Sequence, residues 1–383
     1  MAVLMAAIGL GGLLAALPLW IGAARALGLW LPSSSGRDFA FDFMLYGLLA
    51  LAIPLNRGLW ERLFLAALFL SMIFAYGNPW KWTSLTIYVV VFLALYAIQT
   101  LAAAQKHYHR HILIAITAFA GVNLAWGIIQ FIYGGDPIRI MADQPQRSGA
   151  LFITGFLDNP DHFGALIAIA APAALYLAGK RYLLLIPTFA VLTFGVFLSK
   201  SIFALLAFGG GTIVYLVLME RTWDALIVLI LGAALIAAVA LLYGKPTRAN
   251  IALRSTIVKR TLALSMQTPI FGHGLGYYWW HFKILARDVK DPPRQIEHAH
   301  NEYAEVLFES GLFGLISLIG LMLSYLVKIV FALDREAYAA GAILAAFAIN
   351  AVGFYPARVP LLALILVLAA AILKSYDREA MNG

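Results

Sequence analysis

Long apolar runs alternate with short polar breaks along nearly the whole 383-residue chain. The runs are about 17–22 residues long, which matches a hydrocarbon core ~30 Å thick at about 1.5 Å of helix rise per residue. Helices of a soluble core would carry a polar face; Leu183–Leu198 carries no charge on any face. The pattern predicts twelve spans, at 4–23, 39–55, 62–77, 83–104, 112–133, 162–179, 182–198, 201–219, 223–243, 304–327, 337–354 and 359–374. Pro54, Pro79 and Pro360 fall at or just beyond run ends, where a broken ladder costs little. Pro18, Pro172 and Pro187 fall inside runs and predict kinks. The expected fold class is all-α integral membrane, as a single polytopic domain over residues 1–383.

Composition agrees. Hydrophobic residues make up 63% of the chain and charged ones 12%, against about 25% in soluble domains. The first residues lack the basic region of a signal peptide, so the first run reads as a retained helix. There is no cysteine, which removes disulfides and thiolate chemistry. The net charge of +8 matters mainly by where it sits. Arg57, Arg62, Lys106, Arg110, Lys180, Arg181, Arg221, Lys328, Arg335, Lys374 and Arg378 occupy one set of loops. The smaller group of Arg25, Arg37, Lys81, Arg139, Arg147, Lys200 and Arg358 occupies the other. The richer set predicts the cytoplasmic side, with both termini inside.

Two longer breaks then lie outside, Gly134–Asp161 and Gly244–Tyr303. The second is inserted between spans nine and ten and carries Lys245, Arg248, Arg254, Lys259, Arg260, Lys283, Arg287, Lys290 and Arg294. Charges within the spans are scarce. Asp42, Glu305 and Glu309 lie toward the outer ends and Asp224 at an inner end. A proton or ion path needs ionisable residues deep in the bundle, so the distribution favours a site at the outer face.

The densest outer group is Glu297-His298-Ala299-His300-Asn301-Glu302-Tyr303. Histidine suits proton transfer near neutral pH, and nearby cations suit an anionic substrate. The same residues also admit plainer readings: interfacial hydrogen bonding, metal ligation by His298 and His300 with His273 or His281, or a basic loop that binds lipid headgroups. His107, His109 and His111 read as a solvated or headgroup-facing turn beside Lys106 and Arg110. No Asp-x-Asp pair and no Gly-x-x-x-x-Gly-Lys loop is present, so neither a metal-held nucleotide-sugar site nor a phosphate loop of that kind is indicated.

His300-Asn301, nine residues, then Gly311-Leu312-Phe313-Gly314 resembles the signature of the O-antigen ligase and polymerase superfamily, with Glu309 just ahead of the glycines. Arg254, followed fifteen residues later by Pro269 and then by Gly272 and Gly274, resembles the family's arginine, helix and Pro-x-x-Gly-x-Gly turn. Asn159-Pro160-Asp161-His162-Phe163 and Ser199-Lys200-Ser201 resemble two further segments. The likeness runs from about Arg147 to Gly314. Two departures stand out. The family's second arginine is Lys200 here, or is missing if Ile202 is its match, and only one of the outer loops is large.

The resemblance implies a fold like the C-type glycosyltransferases and a metal-independent, cofactor-free transfer of glycan from undecaprenyl diphosphate to an acceptor hydroxyl. The setting implied is the periplasmic face of the bacterial inner membrane, during O-antigen, capsule or exopolysaccharide assembly. His300 would be the catalytic base and Arg254 the diphosphate partner, with Arg147 and Lys200 as further cations. Asn301, Glu309, Gly311 and Gly314 would support them. Asn301 would cap the tenth span, Glu309 would orient a neighbour or pair with a basic residue, and Gly311 and Gly314 would allow close packing. The expected partners are the lipid-linked donor, a lipid A core or second lipid-linked glycan as acceptor, and membrane lipids, with no nucleic acid. The single large loop leans toward a ligase. A transporter or flippase of lipid-linked glycan and a non-catalytic lipid-binding scaffold are the rival classes.

Overall fold

The computed structural model describes residues 59–74, 107–135, 153–157, 159–242, 244–278, 298–332 and 334–382. Among these every regular element is a helix. They are α1 (Leu59–Phe74), α2 (His107–Tyr133), α3 (Pro160–Ala178), α4 (Tyr182–Ser199), α5 (Ile202–Leu218), α6 (Thr222–Leu242), α7 (Gly244–Ser265), α8 (Glu302–Ala332), α9 (Arg335–Asn350) and α10 (Pro360–Asn382), with a 3₁₀ turn at Pro356–Arg358 before the last. The expected spans at 4–23, 39–55 and 83–104 lie outside the described residues. Among the described residues, four helices are long and apolar enough to cross a membrane: Tyr108–Tyr133, Pro160–Ala178, Tyr182–Ser199 and Glu302–Ile329. Ile202–Leu218, Thr222–Ala237 and Leu361–Tyr376 are shorter apolar helices.

At the centre stands α3. Every residue from Phe163 to Leu175 is buried, and α2, α4, α5 and α9 pack around it. Its sequence is rich in Ala, and small side chains let neighbouring helices approach closely where no water drives them together. Asn159 starts the helix by accepting the Asp161 N–H at 2.8 Å, and Pro160 fills the first turn, where its missing N–H costs nothing.

Two elements depart from the sequence reading. Within the outer loop the chain is helical at once, since α7 begins at Gly244. The His107 group is helical rather than a turn. His109 is buried there, its Nε2 lies 2.9 Å from the Ser375 hydroxyl, and its ring packs on Tyr376. A solvated reading therefore fails for His109, while His111 is exposed.

Contacts tie the helix ends into two polar groups. At one end Tyr176 meets Glu336, Tyr376 donates to Asp334 at 2.8 Å, and Lys374 pairs with Glu61 at 2.8 Å. At the other end the starts of α3 and α8, the α4–α5 turn, α7 and the 351–358 segment converge.

α8 is broken at Gly311, where φ is 66° and ψ is −168°. The break exposes backbone groups that a continuous helix would satisfy, and the chain at 269–274 takes them up. Leu312 N–H donates to Pro269 O at 2.7 Å, Phe313 N–H to Ile270 O at 3.2 Å, His273 N–H to Phe308 O at 2.8 Å and Gly274 N–H to Glu309 O at 2.9 Å. A Cβ on Gly311 would stand 2.2 Å from Ile270 O, and one on Gly272 would stand 2.4 Å from the Glu309 carbonyl carbon. The Pro-x-x-Gly-x-Gly turn and the Gly-x-x-Gly segment are thus two halves of one backbone joint.

Candidate active site

α7 presents Arg254, Ile257, Thr261 and Ser265 inward, at helical spacing on one face. Ile257 packs with Tyr278, Ala299 and Phe308, which pins the helix beside the residue preceding His300. Arg254 is 8% exposed. Its guanidinium donates to Gly353 O at 2.8 Å and to Asp161 Oδ2 at 2.5 Å, and lies over the Phe203 ring. The Ser201 side chain lies beside Asp161, so the Ser199-Lys200-Ser201 turn meets the same group. Lys200 closes α4 in a left-handed conformation at φ 58°.

His300 is half-buried and holds φ 51°. Its Nδ1 is buried with no hydrogen-bond partner among the described residues. Burial lowers its pKa to about 4, the Arg254 charge adds to the shift, and Asp161 and Glu305 partly oppose it. The ring is therefore neutral at pH 7 and able to accept a proton. The Tyr355 ring stands 4.1 Å from that of His298 and 5.3 Å from that of His300, centroid to centroid, and also contacts His162.

Asn301 caps α8 as expected, accepting the Ala304 N–H at 2.9 Å, while its amide donates to Val352 O at 2.7 Å. Glu302 N–H is taken by the Ala351 and Phe354 carbonyls. The N–H groups of Glu302 and Ala304 are thus occupied, which closes the helix start to an anion at both positions and leaves Asn301 the capping role.

Below the cap, Arg358 reaches three carboxylates. It lies 3.4 Å from Glu302, 3.1 Å from Glu305 and 2.8 Å from Glu309. Glu309 thus pairs with a basic residue, as one of its two expected roles requires. Glu305 also accepts from the Ala299 N–H at 2.8 Å and meets His298 Nδ1 at 2.9 Å. An ionised carboxylate only accepts, so His298 Nδ1 carries the proton. His273 lies apart from His298 and His300 in its contacts: its Nε2 meets Leu264 O at 2.9 Å and its ring stacks on Tyr277.

Of the residues singled out from sequence, His300, Asn301, Arg254, Lys200 and Glu309 belong to the converging segments. Gly311 acts in the backbone joint, and Gly314 leaves room for the Ser310 hydroxyl. Arg147 and His281 lie outside the described residues. Asp161 and Arg358 are members that sequence reasoning gave no role in the chemistry. Asp161 lies in a quoted segment, but nothing in its spacing points to Arg254, and Arg358 is one cation in a short loop.

Residues 187–319 match a family model described as O-antigen ligase. The matched stretch contains Lys200, Arg254, His300, Glu309 and both glycines of the joint, and leaves Asp161 and Arg358 outside. No curated protein matches the chain. The family match and the apolar helices together suggest a membrane protein with a glycosyltransferase-like role in polysaccharide assembly. The match supports membership of this chain in the O-antigen ligase and polymerase family.

Proposed function

We propose that this protein transfers a glycan from undecaprenyl diphosphate to an acceptor hydroxyl, at the end of the bundle that carries His300, facing the periplasm. The supporting observation is the His300 ring, neutral at pH 7, with a buried Nδ1 that has no hydrogen-bond partner among the described residues, in the field of Arg254 and Asp161. The acceptor oxygen attacks the anomeric carbon, the bond to the diphosphate breaks, and the acceptor proton passes to His300. The diphosphate leaves with the bonding electrons, and the Arg254 fork answers the developing charge. Asp161 and the Gly353 carbonyl orient the guanidinium beforehand. Lys200, within the Ser199-Lys200-Ser201 turn, is a second cation, and Arg147, outside the described residues, is assigned the same role by the resemblance alone. The reaction needs no metal in this reading, because the diphosphate is already a good leaving group.

His300→Ala is expected to abolish transfer from undecaprenyl-diphosphate glycan by the purified protein. Near-normal turnover would remove His300 as the base. Mass analysis of the product separates the two family activities: a glycan on lipid A core means ligase, and a longer lipid-linked chain means polymerase. The single large outer loop favours ligase. Flux of lipid-linked glycan across liposomes without covalent transfer would favour a flippase instead.

A further inference from the structure

Three carboxylates stand on one face of the first half of α8, and Arg358 answers all of them. Glu302, Glu305 and Glu309 are each at most 3% exposed. A buried group of this kind is costly unless its remaining oxygens are used. Glu302 accepts from the Ala357 N–H at 3.2 Å and Glu309 from the Tyr278 N–H at 3.4 Å. Glu305 is the member that reaches the 298–300 segment, holding the Ala299 N–H and His298.

That segment needs holding. A φ of 51° at His300 is a left-handed conformation that a non-glycine residue keeps only where its surroundings over-determine it. The unpartnered Nδ1 supplies no such constraint. The constraints come from either side: Glu305 on Ala299 and His298, and the Asn301 amide on Val352 O. Arg358 and Val352 both belong to the segment joining α9 to α10, so this segment grips the histidine turn at both flanks.

We propose that Arg358 is a positioning residue for glycan transfer: by holding the Glu305 carboxylate, it fixes the strained turn that aims the His300 ring. The inference rests on the reading of His300 as the base. Arg358 acts through Glu305, and it meets the three carboxylates of α8.

The test is steady-state transfer from undecaprenyl-diphosphate-linked glycan, with lipid A core or a second lipid-linked unit as acceptor, by full-length protein in nanodiscs. Arg358→Gln is expected to lower kcat by about ten- to hundred-fold, the scale of a small misplacement of a reacting group, with donor KM held within about two-fold. Arg358→Lys should recover part of the loss. The acid limb of kcat/KM should also move up toward the ordinary imidazole range in Arg358→Gln. The ring would then leave its place among Arg254 of α7, Asp161 of α3, Glu305 of α8 and His298. A raised donor KM with kcat preserved would make Arg358 a substrate ligand and overturn the proposal. Lost kcat with an unmoved acid limb would reduce it to general stability and overturn it equally. If Arg358→Gln fails to accumulate, Arg358→Lys and Glu305→Gln decide by the same two readouts. Undiminished transfer by His300→Ala would instead remove the underlying reading, whatever the Arg358 variants do.

Discussion

Burial and the charge of Arg254 hold the His300 imidazole neutral down to acid pH, with a pKa of about 4. Such a ring is a weak base while the site is empty of anions. On the proposed function, a diphosphate on Arg254 would offset the cation's push, so the same ring would gain basicity as the donor binds. The acid limb of kcat/KM, which reports the free enzyme, is therefore expected near pH 4, and that of kcat, which reports the complex, at higher pH. Coincident limbs in the measured profiles would mean that the diphosphate does not sit on Arg254. His300, Asn301 and Arg254 stood out in the sequence because their short spacings to glycines and a proline resemble a family signature, which is what assigns their roles. Asp161 and Arg358 did not stand out. Asp161 meets Arg254 across 93 positions, and Arg358 meets Glu309 across 49. No periodicity links partners that far apart.

Helix α8 does two jobs on either side of Gly311. The first half carries the cap and the carboxylates, and the second continues as an apolar span. The break needs a residue that tolerates φ 66° and lacks a Cβ that would strike Ile270 O. Gly311→Ala is expected to destabilise the protein by at least ~1–3 kcal/mol, the scale of one strained non-glycine backbone. A thermal shift in detergent checks it, and an unchanged midpoint would mean the joint gives way freely. The apolar runs showed where most described helices lie because span length and hydropathy are local properties. The joint was not visible, since its hydrogen bonds link 269–274 to 308–313. The buried state of His109 was missed for the same reason, as its partners sit on α10.

Across the whole molecule, the two polar ends are held differently. The His300 end gathers Arg254 with Asp161, and Arg358 with the three acids of α8. The opposite end uses a closed pair: Lys374 and Glu61 meet at 2.8 Å, both nearly inaccessible, and the Tyr325 hydroxyl adds 3.1 Å to the same carboxylate. Breaking a buried pair by removing one partner costs about 3–5 kcal/mol, whereas replacing both with apolar residues is often neutral. Lys374→Met alone is expected to lower the unfolding midpoint sharply, and the double variant Glu61→Leu, Lys374→Met to restore most of it. Equal loss in both variants would show that the pair's packing, rather than its charge, matters.

The place of Arg358 after α8 and α9 sets a timetable for assembly. Translation delivers His300, Arg254 and all three acids of α8 before the segment that clamps them. A nascent chain paused at residue 350 holds the reacting groups but lacks the guanidinium and the Val352 carbonyl that steady the histidine turn. On the proposed function, competence to act on glycan would arrive only once the 351–358 segment is made, so a chain released before it would not consume donor.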